Sequence, residues 1–352
     1  MTETPPTTGR PPTVTVIGEA LIDMVQLQAP GDYRAHPGGS PFNVAIGLAR
    51  LGHRTSLMAR LADNAFGRML RAHATAESVD LTRSPRATEP TTLAVVSMDP
   101  QGRASYDFYL DGTADWQWTE AETARIPTDT AVLHFGSVAS WTLPGGEHIH
   151  TAAERLRADN AALISYDPNI RPALLGEAER GRRAVERSVA VAHVVKASRE
   201  DVEWLYPGTP IERIAARWLD LGALLVVITD GPDGAHVFPA DAKPFSRPGR
   251  KVAVVDTVGA GDAFTAGLLG ALLRRGLHTP RHLAAVESAV LAAAVDDAVL
   301  VSALTCERMG ADPPTALPRP DRPADASLTE ADFTFDPGER DRTPDPVQAL
   351  QS

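Results

Sequence analysis

Residues 256–264 read Asp256-Thr257-Val258-Gly259-Ala260-Gly261-Asp262-Ala263-Phe264, and their neighbours on both sides decide what the stretch can be. The run Val252–Val255 precedes it and has the composition of a strand. An Ala/Leu-rich segment follows, in which Phe264, Leu268 and Leu272 fall on one helical stripe. Gly259 and Gly261 remove side chains where the strand turns into the helix, so free N–H groups there converge on an anion at the positive end of the helix dipole. Asp262 stands in the first helical turn beside that anion site. Its carboxylate has two readings: compensation of the dipole, or a base that takes a proton from a hydroxyl attacking a bound phosphoryl group.

Outward from this turn the chain alternates. Val14–Ile17, Ala131–Phe135, Ala161–Tyr166, Val191–Val195 and Leu224–Ile228 are short apolar runs of buried-strand type. Between them lie helix-like segments: 41–51 with Ser40 as N-cap and Gly52 as stop, 147–157, 178–189, 261–275 and 280–295. Such alternation predicts an α/β fold, a mostly parallel sheet with helices on both faces. Two stretches break the pattern. Met24–Leu27 and Tyr33–His36 flank Gly31-Asp32, and Thr91–Met98 and Ala104–Leu110 flank Asp99-Pro100-Gln101-Gly102. Both read as hairpins, and together they predict a small β-sheet beside the main domain, from about 23–37 and 90–112. Residues 1–12 read as a flexible tail and 13–314 as the folded domain. Eight prolines between Pro313 and Pro346 predict an extended or disordered tail over 315–352.

The totals narrow the function. A net charge of −11, from 34 basic and 45 acidic residues, disfavours nucleic acid and anionic membrane as partners. One cysteine, Cys306, excludes an intrachain disulfide and cysteine-rich zinc motifs, and the cytoplasm is the expected location. No stretch approaches 18 uninterrupted apolar residues, so no membrane span is expected. The chain has no G-x-x-x-x-G-K-[ST] segment, no H-R-D or D-F-G, and only three lysines, Lys196, Lys243 and Lys251. If it transfers phosphate, a helix N-terminus must do what a P-loop does elsewhere. A dinucleotide fingerprint after the first strand is also lacking, since the residues there are Gly18-Glu19-Ala20-Leu21-Ile22-Asp23.

Residues 256–264 resemble the C-terminal signature of the ribokinase-like (PfkB) carbohydrate kinases, and Gly38-Gly39-Ser40-Pro41-Phe42-Asn43-Val44-Ala45 resembles that family's other signature. Gly18–Asp23 and Asp167-Pro168-Asn169-Ile170-Arg171-Pro172 are similar to blocks of its fructokinase-like members, and Thr229-Asp230-Gly231-Pro232-Asp233-Gly234 to their nucleotide-binding turn. The resemblance covers about 13–314. It implies a Rossmann-like core with a β-sheet lid, and an ATP- and Mg2+-dependent phosphorylation of a sugar's primary hydroxyl. Fructose leads, ahead of 2-keto-3-deoxygluconate, another sugar acid or a nucleoside; a non-catalytic sugar-binding regulator is the remote alternative.

The resemblance also implies roles. Asp262 would be the base, with the Gly259, Ala260 and Gly261 amides as anion hole. Asp23, Gly38, Gly39, Asn43, Asp167, Asn169 and Arg171 would contact the sugar or its surroundings. Lys196, Ser198, Thr229, Gly231 and Gly234 would join Gly259 and Gly261 on the nucleotide side. One block departs: Ser198-Arg199-Glu200-Asp201 stands where many members carry N-x-x-E, so Asp201 or Glu200 would reach the metal through water. Asp256 is the implied neighbour of a monovalent cation such as K+, and pairing of lids across a homodimer is the implied assembly.

Overall fold

The computed structural model describes residues 11–27, 31–98, 104–318, 323 and 325–334. The turn at Asp99–Gly102, the first ten residues of the N-terminal tail and everything after Thr334 lie outside the described residues.

Sixteen strands are described. β1 (Thr13–Ile17) leads into β2 (Leu21–Gln26) and β3 (Tyr33–Gly38), followed by β4 (Thr55–Met58), the two-residue pair β5 (Leu61–Ala62) and β6 (Arg86–Ala87), then β7 (Leu93–Met98) and β8 (Ala104–Tyr109). β9 (Thr130–Gly136), β10 (Leu163–Asp167), β11 (Val194–Ser198), β12 (Leu225–Thr229), β13 (Ala235–Pro239) and β14 (Phe245–Arg247) complete the main sheet, and β15 (Thr315–Ala316) and β16 (Phe333–Thr334) form a late hairpin. The main sheet runs β14-β13-β12-β11-β10-β9-β1-β4. Its pairings from β4 to β12 are parallel, and β13 and β14 close one edge antiparallel. β1 is buried along its whole length, as a parallel strand covered on both faces must be.

The helices are α1 (Ser40–Arg50), α2 (Ala65–Ala76), α3 (Glu120–Thr123), α4 (Gly145–Ala158), α5 (Pro172–Leu175), α6 (Ala178–Val189), α7 (Arg199–Leu205), α8 (Ile211–Asp220), α9 (Ala260–Arg274), α10 (Pro280–Ala284) and α11 (Ser288–Cys306). One core cluster joins the sheet to α1, α2, α9 and α11, and a second joins its other face to α4, α6, α7 and α8. The single helix expected over 280–295 is two, parted at Ala285–Glu287. α11 is long and apolar enough to cross a membrane by length and composition, yet 61% of that window is buried inside the fold. Its neighbour is α9, and a β-carbon added at Gly267 of α9 would lie 2.9 Å from Ala298 Cα of α11.

The two hairpins do leave the main sheet. They form a separate four-stranded sheet, β3-β2-β7-β8, with β2 and β7 parallel at its centre. Asp23 sits on β2, opposite His36 of β3 and Ala94 of β7. The chain enters this lid just after β1 and leaves it just before β9, so the lid hangs over the C-terminal ends of the strands, where the strand order reverses between β1 and β9. That crevice is where α/β sheets place ligands.

The structure corrects the reading of the C-terminal tail. The described residues 315–318 and 325–334 are not free of the domain. β15 pairs with β16, Phe333 is 4% exposed within the core, and Leu328 packs against the same core cluster. Leu328 N donates to Asp297 Oδ1 at 2.6 Å. Asp297 is fully buried on α11, where its other oxygen accepts from Arg274 and Arg275 at 2.8 Å each.

Candidate active site

The segment before the glycine turn is not a strand. Val255 N and Asp256 N both donate to Cys306 O, at 2.8 and 3.2 Å, so the backbone is tied to the end of α11 instead of a sheet edge. Val254, Val255, Val258 and Met309 are 63%, 53%, 46% and 54% exposed. Four large apolar side chains on these two neighbouring loops give the turn an open apolar flank. Gly259 is the N-cap of α9, with φ +75°, and a β-carbon there would lie 2.5 Å from Ala311 Cβ, so both backbone and space require glycine. No side chain caps α9; Ala260 N, expected in the anion hole, donates instead to Thr257 O at 3.2 Å, which leaves the amides at Gly259 and Gly261 for a ligand. At Gly261 a β-carbon would meet only Lys196 Nζ, at 3.0 Å, which places that ammonium against the first turn of the helix.

Asp262 projects from this turn towards α1. Ser40 Oγ donates to its Oδ1 at 2.6 Å and Asn43 Nδ2 to its Oδ2 at 2.8 Å. Burial raises its pKa and Asp167 adds to the rise, while Ser40, Asn43 and Lys196 oppose it. The carboxylate is not locked in an ion pair; its direct partners are two neutral donors.

Below it lies a buried polar network. Lys196 Nζ donates to Asp167 Oδ2 at 3.0 Å, and Thr265 Oγ1 of α9 donates to the same oxygen at 3.3 Å. Burial disfavours the ammonium, but Asp167, Asp201 and Asp262 outweigh it and hold the Lys196 pKa above the ordinary lysine value. Asn169 N donates to Asp167 Oδ1 at 3.1 Å. Asn169 itself has φ +38°, donates through Nδ2 to Ser137 Oγ, and accepts Arg171 Nη1 at 2.8 Å. Arg171 is thereby aimed at the lid, where burial pushes Asp23 up to about 6, Arg171 opposes the rise and Asp262 adds to it. The lid carboxylate Asp23 therefore lies within electrostatic reach of both the Arg171 guanidinium and the Asp262 carboxylate. Gly38 lies against Asp23: a β-carbon there would be 2.0 Å from its Oδ2. At Gly39, φ is +102° and a β-carbon would crowd Glu19 O at 2.9 Å.

The residues of the nucleotide side lie along the same edge of the sheet. Ser198 and Thr229 are register partners at the ends of β11 and β12, and Gly231 and Gly234 follow in the turn to β13. Gly234 is fixed by packing, since a β-carbon would lie 2.1 Å from Arg247 O. The metal candidates separate. Asp201 is buried, and its two oxygens accept from Ile170 N at 2.7 Å and Ser198 N at 2.8 Å, closing a capping box on α7. Glu200, the next residue back, is exposed. Asp256 accepts from Val258 N at 3.1 Å and Gly310 N at 2.8 Å, joining the turn to the loop after α11. No group of three or more His, Cys, Asp or Glu able to hold a metal occurs among the described residues.

A family profile described as "pfkB family carbohydrate kinase" matches residues 12–317. The chain belongs to the pfkB family of carbohydrate kinases. A fructokinase of Rhizobium leguminosarum bv. trifolii is 37% identical over 277 residues, 78% of this chain and 84% of that protein. Fructokinase-1 of Oryza sativa subsp. japonica is 35% identical over 316 residues, 87% of this chain and 95% of that protein. A crystal structure of fructokinase from Xylella fastidiosa with bound ATP is similar at TM-score 0.78 and 26% identity, covering 85% of this chain and 93% of that one. A double mutant of the Vibrio cholerae O395 fructokinase, with fructose, ADP and potassium ion bound, is similar at TM-score 0.74 and 29% identity, covering 85% and 94%. The protein is thus an ATP-dependent sugar kinase of the ribokinase-like fold.

The kinase also buries two carboxylates that sequence reasoning missed as a pair. Glu19 and Asp115 stand where the chain enters and leaves the lid. Asp115 Oδ1 accepts from Ala20 N at 2.9 Å, and Glu19 Oε2 accepts from Ala139 N at 3.1 Å. Burial pushes each up to about 7, and Asp115 adds to the rise of Glu19. Between about pH 4 and 7 the folded state binds protons at these groups that the unfolded chain has released. Stability from them is therefore present at low pH and lost as pH rises through 7, by at most about 1.4 kcal/mol per pH unit for each group. His53, His134 and His193, each pushed down to about 4 with burial the leading cause, act with the opposite sign between about pH 4 and 6.5. The wild-type curve mixes the two. Asp115→Asn separates them: its urea midpoint relative to wild type should climb from pH 4 to pH 7 and then level off. A constant difference across that range would show that Asp115 is ionised throughout.

Proposed function

We propose that this kinase transfers the γ-phosphoryl group of ATP to a primary hydroxyl of fructose, with Asp262 as the base. The observation that carries the reading is the Asp262 carboxylate, set in the first turn of a helix with no side-chain cap and within electrostatic reach of the lid carboxylate Asp23. Asp262 takes the proton of the attacking hydroxyl. A new P–O bond forms to the sugar oxygen, the bond from γ-phosphorus to the β,γ-bridging oxygen breaks, and ADP leaves. The amides at Gly259 and Gly261 face the charge on the phosphoryl oxygens, Ala260 N holds the turn through Thr257 O, and Lys196 adds a fixed positive charge beneath them. Asp23, with two acceptor oxygens, suits vicinal sugar hydroxyls. Gly38, Gly39 and Asn43 complete the sugar side, and Asp167 and Asn169 position Arg171 over it. The open apolar flank of Val254, Val255, Val258 and Met309 suits a purine base, with Ser198, Thr229, Gly231 and Gly234 along the nucleotide's edge.

Mg2+ would travel on the phosphates, where it neutralises their charge. The protein's share of its shell is small: Asp201 is committed to backbone amides, and Glu200 remains as a contact through water. Asp256 would border a K+ ion. Lid closure excludes water, and the lid's edge strands β3 and β8 are the surfaces a second copy would meet. The single cysteine suits the cytoplasm.

Fructose is chosen because curated relatives named fructokinase are 31–37% identical to this chain. A structural neighbour from Salmonella enterica is an aminoimidazole riboside kinase, at TM-score 0.71 and 27% identity. The test is ADP release with purified protein against fructose, ribose, 2-keto-3-deoxygluconate, a nucleoside and aminoimidazole riboside. Fructose should give the highest kcat/KM by at least about tenfold, within reach of a few missing hydrogen bonds. A higher value for any other acceptor overturns the choice of sugar.

A further inference from the structure

Ser40 is the first residue of α1, one position inside the N-cap that the sequence suggested for it. Here α1 takes Gly39 as its N-cap, with no side-chain cap hydrogen bond. The Ser40 hydroxyl, 7% exposed, is donated instead to Asp262 Oδ1, 222 residues away in sequence, at 2.6 Å. Asn43 lies one turn on, on the same face of α1, and donates to the other oxygen. The two helices are held close: a β-carbon added at Gly47 of α1 would lie 2.8 Å from Ala266 Cβ of α9. The donor and the carboxylate therefore sit on a rigid helix pair.

We infer that Ser40 is a positioning residue for the phosphoryl transfer, orienting the Asp262 carboxylate through its Oδ1. The inference rests on Asp262 being the base. Each carboxylate oxygen has two lone pairs. With one on each oxygen taken by α1, those left free are the ones offered to the incoming hydroxyl. A donor at 2.6 Å also stabilises the ionised form. The other groups facing the carboxylate are Asp167 on β10, Asp23 on β2 and Lys196 on β11, and Asn43 is its second donor. The two carboxylates favour its protonation, and Lys196 and Asn43 favour its ionisation. Removing Ser40 tips that balance towards the protonated, inactive form. No sequence signal marks the contact, because Ser40 at a helix start reads as a cap.

The test is the pH dependence of kcat at saturating fructose and ATP for Ser40→Ala and Ser40→Thr. Ser40→Ala should move the acidic limb up by about one pH unit, so that rates on that limb fall about tenfold. On the alkaline plateau kcat should fall less than about threefold, and both KM values should change less than that. Ser40→Thr, which keeps the hydroxyl, should hold the wild-type limb. If Ser40→Ala does not fold, Ser40→Cys, with its weak S–H donor, carries the same expectation. An unmoved limb, or an equal loss at every pH, overturns the inference. A second arm separates this from failure of the base assignment: in an Asp262→Asn background, Ser40→Ala should leave the residual rate unchanged. If Asp262→Asn alone retains wild-type turnover, the base assignment has failed and Ser40 has nothing to orient.

Discussion

Asp262→Asn should lower kcat on the order of a thousandfold and leave the kinase folded and able to bind both substrates. The magnitude follows from what general bases contribute, roughly 10²–10⁴ in rate. The substitution is close to isosteric. An Asn oxygen can still accept the Ser40 hydroxyl, and the Asn43 amide can flip to accept from the new NH2 group, so the α1–α9 contact survives. Losing a negative charge beside the anion site relieves repulsion with the nucleotide, so ATP affinity should hold or tighten. The anion-hole amides are backbone groups and remain in place. Turnover by ADP release, with nucleotide affinity by calorimetry and the urea midpoint, reads all three quantities. Near wild-type turnover would return Asp262 to the reading left open at the start, a carboxylate that merely compensates a helix dipole. Loss of folding in step with loss of turnover would remove the meaning of the rate.

Much of this site is legible in residues that cannot be anything else. Gly259 carries a left-handed φ against Ala311, so its identity is a backbone requirement that sequence shows directly. The lid was readable because two hairpins interrupt an alternating pattern, and strand period and turn residues are local properties. Local reasoning failed wherever the partner is distant. Val252–Val255 has strand composition, but its amides bond to the end of α11, and the valines line an open flank. Ser40 looks like a cap and is a ligand of the base. Asp201 looks like a metal contact and is occupied by Ser198 N and Ile170 N. Glu19 and Asp115, 96 positions apart, look like ordinary loop carboxylates and meet at the root of the lid. In each case the residue type was visible, and at least one contact that gives it meaning lies far away in the sequence.

The tail shows the same limit with a larger energetic consequence. Its proline and acid content predicts a segment unable to bury enough surface to fold, yet residues 325–334 dock because the body of the protein supplies what they lack. Asp297 is the centre of that arrangement. Its carboxylate, itself fully buried, gathers Arg274 and Arg275 from the end of α9 and Leu328 N from the tail. Asp297→Ala should destabilise the protein by about 3–5 kcal/mol, the usual cost of removing one partner from a buried charge cluster. Asp297→Asn keeps an acceptor for Leu328 N while losing the charge, so its cost isolates the arginines. Truncation after Leu317 removes the tail alone, and its expected cost, about 2–3 kcal/mol, is mainly the burial of Phe333. Roughly 18 Å of helix separates Arg274 from Asp262 at 1.5 Å per residue, so kcat per folded molecule should stay within about twofold in all three variants. Urea unfolding and active-fraction kinetics decide it. If Asp297→Ala leaves the midpoint unchanged, the carboxylate is not what couples the tail to α9. If it lowers kcat as strongly as stability, the far end of α9 governs the geometry at Asp262, and the catalytic turn is less rigid than its glycines and helix contacts imply.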